Sequence, residues 1–348
     1  MLEHGGRLRR AAQHYGIPLP DWLDLSTGIA PWVYPLPQID TRHWQRLPED
    51  DDGLVEAACA AYGAPHVLPL PGSQAAIQAL PTLFTPQPIA VLAPSYAEHA
   101  HQWQRAGHTL APFSDAAGLA QRMASCNIVV MVQPNNPTGW HLGRDALRQV
   151  AAELAGRDGL LVVDEAFIDA DPALSLAPFS ASRGLLVLRS LGKFYGLAGA
   201  RVGFACGEPI LLARLREAIG PWPVNGPARW VATAALRDAT WQRNNGQRLR
   251  QASQRLAMLL RAHGLTPDGG TPLFQWLRHP QAQAIHAALA RRGVLTRCYA
   301  DPASLRFGLP GASPFVSEPC SGDAANADAR AWQRLADALA QLRDAHLC

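Results

Sequence analysis

Short apolar runs alternate with helical patterns over the first two thirds of the chain. Four of these runs lack the polar alternation of a half-exposed strand, which predicts strands buried on both faces. Helical patterns separate most of them, and this order is typical of a parallel sheet covered by helices in an α/β protein. The four runs are Ile89–Ala93, Ile128–Val132, Leu160–Val163 and Leu185–Leu188.

The pattern changes at both ends of the chain. Residues 1–40 are rich in Pro, Trp and Gly, which predicts an arm that packs on a smaller domain. We expect a large ligand-binding domain over residues 41–225, and a long connecting helix with a small α+β domain over residues 226–348. The predicted elements outside the four strands are helices over Asp52–Tyr62, Ala234–His263 (broken around Asn244-Asn245-Gly246) and Ala329–His346, and strands over Leu273–Leu277 and Leu305–Phe307.

Composition excludes several classes of function. A length of 348 residues with 48% hydrophobic and 17% charged residues is typical of a globular protein with a large core. The net charge of +3 and the scattered arginines do not favour nucleic-acid binding. No apolar stretch is long enough to span a membrane, and no signal peptide is apparent, so we expect a cytoplasmic protein. The six cysteines are isolated and no histidine cluster accompanies them, so we expect reduced thiols and no metal site.

A chemically useful side chain follows each of the four apolar runs. Tyr96, Asn136, Asp164 and Lys193 come after the first, second, third and fourth run. Ligands of such sheets bind beyond the carboxyl ends of the strands, where these residues would meet. Each residue alone has an ordinary explanation, such as loop packing, a turn, a helix cap or a surface lysine. Their joint occurrence predicts a site.

Four motifs in this order resemble those of fold-type I pyridoxal-phosphate (PLP) enzymes of the aminotransferase class I/II family. They are Asn136-Pro-Thr-Gly, Asp164-Glu-Ala-Phe, Ser190-Leu-Gly-Lys and Gly199-Ala-Arg-Val-Gly-Phe, and the resemblance extends over nearly the whole chain. It implies a mostly parallel sheet with helices on both faces in a large domain, beside a smaller α+β domain.

The resemblance also implies roles for individual residues. Lys193 would hold PLP as a Schiff base and later transfer protons, and Asp164 would pair with the pyridine nitrogen. Asn136 would hydrogen-bond the phenolic oxygen of the cofactor, and Tyr96 would stack on its ring. Lys193, Asp164 and Tyr96 are therefore the candidate catalytic residues.

The cofactor phosphate requires hydrogen-bond donors and positive charge. Gly72, Ser73 and Gln74 precede a helical stretch and would offer backbone N–H groups. Ser190 would add a hydroxyl and Arg201 a guanidinium.

The N-terminus narrows the resemblance within the family. His4-Gly5-Gly6 and the segment Asp24–Pro31 resemble the threonine-phosphate decarboxylases of cobalamin biosynthesis, which are related to histidinol-phosphate aminotransferases. This implies conversion of L-threonine O-3-phosphate to (R)-1-amino-2-propanol O-2-phosphate. His4, Gly5 and Gly6 would bind the substrate together with Asn136 and with Arg306, which would hold its carboxylate.

The chain departs from the pattern of its relatives at three positions. Ala30 replaces an Asn, which removes one polar contact. Leu47 replaces a Tyr that reaches the partner subunit's cofactor phosphate in many relatives. Phe167 replaces a Tyr that bonds the phenolic oxygen, so Asn136 would make that bond alone.

Two other functions remain open at this point. A histidinol-phosphate-type aminotransferase using 2-oxoglutarate would have the same cofactor chemistry, because the outcome depends on which Cα bond stands perpendicular to the cofactor plane. A non-catalytic binding protein is disfavoured by the intact Lys193. The resemblance further implies a homodimer that acts on a small phosphorylated amino acid.

Overall fold

The computed structural model describes residues 4–312 and 324–344. The helices in these ranges are α1 (Leu8–Tyr15), α2 (Arg42–Gln45), α3 (Leu54–Tyr62), α4 (Ser73–Ala79), α5 (Ala97–Arg105), α6 (Ala116–Met123), α7 (Arg144–Ala155), α8 (Pro209–Ile219), α9 (Gly226–Arg237), α10 (Ala239–Ala262), α11 (Ala282–Ala290) and α12 (Ala324–Asp344). The strands are β1 (Leu23–Asp24), β2 (Val67–Leu70), β3 (Pro88–Leu92), β4 (Thr109–Phe113), β5 (Ile128–Val132), β6 (Leu160–Asp164), β7 (Leu185–Ser190), β8 (Gly203–Gly207), β9 (Gly269–Thr271), β10 (Phe274–Arg278), β11 (Val294–Leu295), β12 (Arg297–Ala300) and β13 (Ala303–Gly308).

The chain divides into two compact units, and the larger comprises residues 33–136 and 140–246. Its sheet has seven strands in the order β2-β8-β7-β6-β5-β3-β4. The ladders from β7 through β6, β5 and β3 to β4 are parallel, whereas β8 is antiparallel to both of its neighbours. The mostly parallel α/β sheet predicted from the sequence is therefore confirmed.

Burial explains why the apolar runs lack alternation. Every residue of β5, β6 and β8 is buried, so both faces of these strands are covered. The core beneath the sheet includes Ile89, Ile128, Val162 and Leu188 from four successive strands. Because the strand backbones are fixed by this core, the residues that follow them are held at defined positions.

The boundaries of the predicted strands are close to those observed. β6 and β7 extend further than predicted, to Asp164 and Ser190, so both residues are held by the sheet itself. The predicted break around Asn244–Gly246 is wrong, because α10 continues through it and the interruption lies at Asp238. Asp238 starts α10 by accepting a hydrogen bond from the Trp241 N–H (2.9 Å), and Asn245 donates to the carbonyl of Phe194 (2.9 Å) from within the helix.

The smaller unit comprises residues 4–32, 137–139 and, within the described ranges, those from 247 onward. It contains an antiparallel sheet in the order β12-β13-β10-β9 and a short parallel pair, β1 with β11. Gly139 packs so closely on Gly270 that an added Cβ would lie 2.2 Å from the Gly270 oxygen. The end of the predicted C-terminal helix, beyond Asp344, lies outside the described residues.

Candidate active site

Asp164 ends β6 and is buried, with two groups that fix its carboxylate. Its Oδ2 lies 2.9 Å from Nε2 of His99, and its Oδ1 accepts a hydrogen bond from the Ala166 N–H (3.1 Å). His99 is 2% exposed and lies in the first turn of α5. A carboxylate held from both oxygens in this way has a single orientation, as the partner of a cationic ring nitrogen requires.

Tyr96 immediately precedes α5, one helical turn before His99. Its hydroxyl donates to Oε1 of Gln74 (3.1 Å), and the Gln74 amide donates in turn to Oε2 of Glu98 (3.0 Å). Burial, together with the negative charges of Glu98 and Asp164, raises the pKa of Tyr96 to about 12. The phenol is therefore protonated and neutral near neutral pH.

Gly72, Ser73 and Arg201 lie together at the start of α4. Gly72 has a φ of +78°, and a Cβ on it would lie 2.6 Å from Nη2 of Arg201. The guanidinium thus lies against the glycine backbone in space that no side chain could share. Gly203 approaches as closely from the other side, because its Cβ would lie 2.4 Å from the Ser73 nitrogen. Backbone N–H groups beside a guanidinium form a suitable place for a phosphate.

Asn136 and Lys193 are half-buried on loops of the same unit. The neighbouring Asn135 fixes the first loop, since it accepts from the Ser95 hydroxyl (2.7 Å) and donates to the Pro94 carbonyl (2.8 Å). Nζ of Lys193 lies 5.6 Å from the centroid of the Phe167 ring. Phe167 thus makes a cation–π contact with the lysine at the position where some relatives have a tyrosine.

Ser190 is the last residue of β7 and precedes the lysine loop. Its hydroxyl accepts a hydrogen bond from the Gly192 N–H (3.2 Å). Gly192 lies close to Ala198, because a Cβ added to this glycine would be only 3.2 Å from the Ala198 Cα. The turn that presents Lys193 is therefore closely packed on the segment leading to Arg201.

The N-terminal candidates and Arg306 meet at Ser26 in the smaller unit. The Gly6 N–H donates to the Ser26 hydroxyl (2.8 Å), and Nη2 of Arg306 donates to the Ser26 carbonyl (2.7 Å). A Cβ on Gly5 would lie 2.3 Å from that same carbonyl oxygen. Asp24 fixes Ser26 by accepting from its N–H (2.9 Å) and its hydroxyl (2.6 Å). The structure thus joins two segments that are 280 residues apart in the sequence.

Arg297 is a candidate that the sequence reasoning missed. It is the register partner of Arg306 on the adjacent antiparallel strand, so the two side chains lie on the same face of the sheet. Like charges in this arrangement repel unless an anion lies between them. Burial lowers the pKa of Arg306, and the nearby charge of Arg297 acts in the same direction. The only advance signal was the spacing of nine residues around a turn, which a single sequence does not distinguish from chance.

A cavity of about 620 Å³ opens beside Arg297 in the smaller unit. Its walls include His4, Gly6, Arg7, Ser26 and Arg297, and none of the described residues that line it has a carboxylate. A lining of this kind favours an anionic ligand with hydrogen-bond acceptors.

The predicted residues therefore divide into two groups, one in each unit. The first, in the larger unit, is the cofactor group: Gly72, Ser73, Gln74, Tyr96, Asn136, Asp164, Ser190, Lys193 and Arg201. The second, in the smaller unit, is the anion group: His4, Gly5, Gly6 and Arg306. His99 was missed because a histidine on a helix has no distinctive pattern. In retrospect its spacing of three residues from Tyr96 was the available signal.

The cofactor group fits PLP in its donor chemistry. The space beside the Gly72 backbone would be filled by any Cβ, and the Arg201 guanidinium lies next to it. This arrangement suits a phosphate monoester. The buried Asp164 suits a basic ring nitrogen, the Tyr96 ring an aromatic ring, and the Lys193 amine an aldehyde.

Other classes of site find less support in the part of the chain that the structure describes. Residues 4–312 and 324–344 contain no cluster of three or more His, Cys, Asp or Glu side chains that could hold a metal. No helix in those ranges has the length and apolar character needed to cross a membrane. The thiols of Cys59, Cys126 and Cys206 are free, and Cys320 and Cys348 lie outside the described residues.

The chain is similar to proteins of one known family. Residues 51–315 match the model of the family Aminotransferase class I and II. A threonine-phosphate decarboxylase of Pseudomonas aeruginosa is 54% identical over 97% of this chain and 97% of its own length. One from Sinorhizobium sp is 39% identical over 98% of both chains.

A solved structure shows the same fold. The histidinol-phosphate aminotransferase from Sinorhizobium meliloti, determined in complex with pyridoxal-5'-phosphate, has a TM-score of 0.78 to this chain at 18% identity. The alignment covers 98% of this chain and 96% of the other. The matching family model and the two relatives aligned over nearly their full length show that this chain belongs to the aminotransferase class I and II family of PLP enzymes.

Proposed function

We propose that this chain is a PLP-dependent threonine-phosphate decarboxylase that converts L-threonine O-3-phosphate to (R)-1-amino-2-propanol O-2-phosphate and CO₂ in cobalamin biosynthesis. The observation that supports this most strongly is the 54% identity to a threonine-phosphate decarboxylase over 97% of both chains. The Ser26 contacts give the N-terminal segment a physical reason to matter, because they join it to Arg306.

In the larger unit, the side chains of the cofactor group would bind PLP and control protons. The cofactor supplies an electron sink for the pair of electrons left when a bond at the substrate Cα is broken. Asp164, oriented by His99, would hold a proton on the ring nitrogen. The amine of Lys193 would hold the cofactor covalently and then deliver a proton to the substrate carbon after CO₂ has left.

In the smaller unit, the anion group would orient the substrate. L-threonine O-3-phosphate has a carboxylate and a phosphate, so it needs two cationic sites at fixed separation. Arg306 would hold the carboxylate, while His4 and Arg297 would face the phosphate from the wall of the cavity. Fixing both anions determines which Cα bond is aligned for cleavage, and this choice separates decarboxylation from transamination.

The direct test offers the holoenzyme two substrates. With L-threonine O-3-phosphate we expect release of CO₂ and aminopropanol phosphate without any 2-oxo acid. Absence of CO₂ together with rapid 2-oxoglutarate-dependent turnover of histidinol phosphate would establish the aminotransferase alternative. Absence of a cofactor absorption band, in wild type and Lys193→Ala alike, would instead indicate a non-catalytic protein.

We also propose that the protein is a homodimer, as the family resemblance implies. The larger unit exposes several large apolar side chains around its first residues and in one proline-flanked loop, and a subunit interface over them would remove this apolar surface from water. They are Val33, Leu36, Trp44, Leu47 and Trp222, each more than half exposed. Trp222 also has a φ of +52°, a strained conformation for an aromatic residue.

Sedimentation of the holoenzyme tests this assembly. A dimer is expected for the wild type, and Trp44→Glu should shift the equilibrium toward monomer while leaving the circular dichroism spectrum unchanged. A wild-type monomer at micromolar concentration would contradict the proposal. We further propose that the protein acts in the cytoplasm on a small phosphorylated amino acid.

A further inference from the structure

A buried ionic cluster lies at the ends of β6 and β7 and has no role in the chemistry described so far. The guanidinium of Arg189 donates through Nη1 to Oε2 of Glu165 (3.2 Å) and to the Ser175 hydroxyl (2.9 Å), and through Nη2 to Asp169. Arg189 is 2% exposed and Glu165 is fully buried. Tyr62 covers the other face of the guanidinium, with its ring centroid 4.2 Å from Cζ.

Two members of this cluster adjoin a residue of the cofactor group in the chain. Glu165 follows Asp164 directly, and Arg189 immediately precedes Ser190 in β7. The segment between Glu165 and Asp169 contains Phe167, whose ring contacts Lys193. Arg189 therefore ties down both ends of the segment that faces the lysine.

The remaining contacts of Glu165 complete the attachment. Its Oε1 accepts from the Leu176 N–H (2.7 Å) and its Oε2 from the Ser175 hydroxyl (2.5 Å). Its backbone N–H donates to the Leu188 carbonyl (2.9 Å), which joins β6 to β7 just below the cluster. The carboxylate and the backbone N–H of Glu165 thus join two strand ends and one loop.

Stability alone does not account for such a cluster. Burial raises the pKa of Glu165 and of Asp169, and Arg189 opposes this for both. Two carboxylates share one cation in a buried region, and well-packed apolar residues of the same volume are often equally stable or more so. What an apolar replacement cannot supply is the fixed, forked geometry of a guanidinium.

We propose that Arg189, Glu165 and Asp169 are positioning residues, which hold Asp164, Phe167 and Ser190 in the arrangement that binds the cofactor. The inference rests on the proposed cofactor site. It assigns to these three residues an effect on PLP affinity and on the protonation of the bound cofactor, beyond any effect on folding. Arg189→Lys keeps the charge but cannot hold both carboxylates through a planar fork.

The chain offers a matched control for this variant. Arg229, in the same unit, is also 2% exposed and also binds a carboxylate through a fork, with Nε and Nη2 at 2.5 and 2.8 Å from the two oxygens of Asp52. That pair lies between α3 and α9 and does not adjoin the cofactor group. Arg229→Lys therefore removes a comparable interaction without touching the proposed function.

The experiment compares PLP affinity, thermal unfolding of the cofactor-free proteins, and the pH midpoint of the bound cofactor's absorption spectrum. Both variants should lose stability, but only Arg189→Lys should weaken PLP binding, by about tenfold, and shift the spectral midpoint. Equal PLP affinity and midpoint in both variants would overturn the proposal.

A second variant guards against a folding defect. Asp169→Asn keeps the shape of the side chain and removes one charge, so we expect a smaller shift of the spectral midpoint in the same direction. This variant provides the test if Arg189→Lys does not fold. An unchanged spectrum in folded Asp169→Asn would also overturn the proposal. Wild-type protein that binds no PLP would contradict the proposed function. That result differs from equal PLP affinity and midpoint in the two arginine variants, which would contradict only the positioning role.

Discussion

Gly5→Ala should separate substrate binding from cofactor binding. A Cβ at this position would lie 2.3 Å from the Ser26 carbonyl oxygen and 3.1 Å from its carbon. The obstacle is backbone, which Arg306 and Asp24 hold in place, so the N-terminal segment must move instead. Reaching ordinary van der Waals contact requires a displacement of about 1 Å. A shift of that size also breaks the 2.8 Å hydrogen bond between the Gly6 N–H and the Ser26 hydroxyl.

The expected effect is on kcat/KM for L-threonine O-3-phosphate. Displacing His4 by this distance should lower kcat/KM by about 100-fold, because catalysis depends steeply on the placement of the reacting groups. PLP affinity and absorption should stay at wild-type values, since the cofactor group lies in the other unit.

Gly156→Ala is the matched control for this substitution. Its φ is −63°, and its Cβ would meet nothing closer than 3.5 Å, so alanine fits there without strain. The control should keep wild-type kinetics. A Gly5→Ala enzyme within twofold of wild type, or an equal loss in both variants, would refute the reasoning about Ser26.

Three further substitutions test other parts of the account. Gly72→Ala should weaken PLP binding about tenfold or more, as measured by absorbance titration. The added Cβ would displace Arg201, and the φ of +78° disfavours alanine. Unchanged affinity would contradict a phosphate site at Gly72. His99→Phe should lower kcat by about 10- to 100-fold and alter the cofactor spectrum, since Asp164 loses its 2.9 Å partner; a normal spectrum would argue against orientation by His99. Burial would raise the pKa of Asp52, but its hydrogen bonds hold that pKa below the usual 3.8. Its stabilising effect is therefore present above pH 3.8 and lost in more acidic solution. The difference in unfolding free energy between wild type and Asp52→Asn should accordingly shrink as the pH falls below 3.8, and a difference independent of pH would contradict this.

The parts of the site that follow buried strands could be predicted from the sequence. An apolar run identifies the strand, the strand fixes its carboxyl end, and the next residue is therefore placed without any knowledge of tertiary contacts. Asp164 and Lys193 were predicted in this way, and the sheet whose strands end at Asp164 and just before the lysine loop is confirmed.

The rest depends on contacts that are remote in sequence. His99 acquires its importance only from a carboxylate 65 residues away, and Arg297 from its strand partner. The break in the long helix was misplaced for a related reason. The sequence Asn244–Gly246 is a local turn signal, but the hydrogen bond from Asn245 to the Phe194 carbonyl outweighs it. Asp238 supplies a helix cap that the sequence pattern did not reveal.

The most direct test of the central claim follows the carboxyl carbon of the substrate. L-threonine O-3-phosphate labelled in its carboxylate is incubated with the PLP-loaded wild-type enzyme and with Lys193→Ala. For wild type we expect all of the converted label in CO₂, with one aminopropanol phosphate formed for each CO₂, and for the variant no label released. Label that stays in an organic product, with consumption of a 2-oxo acid, would contradict the account.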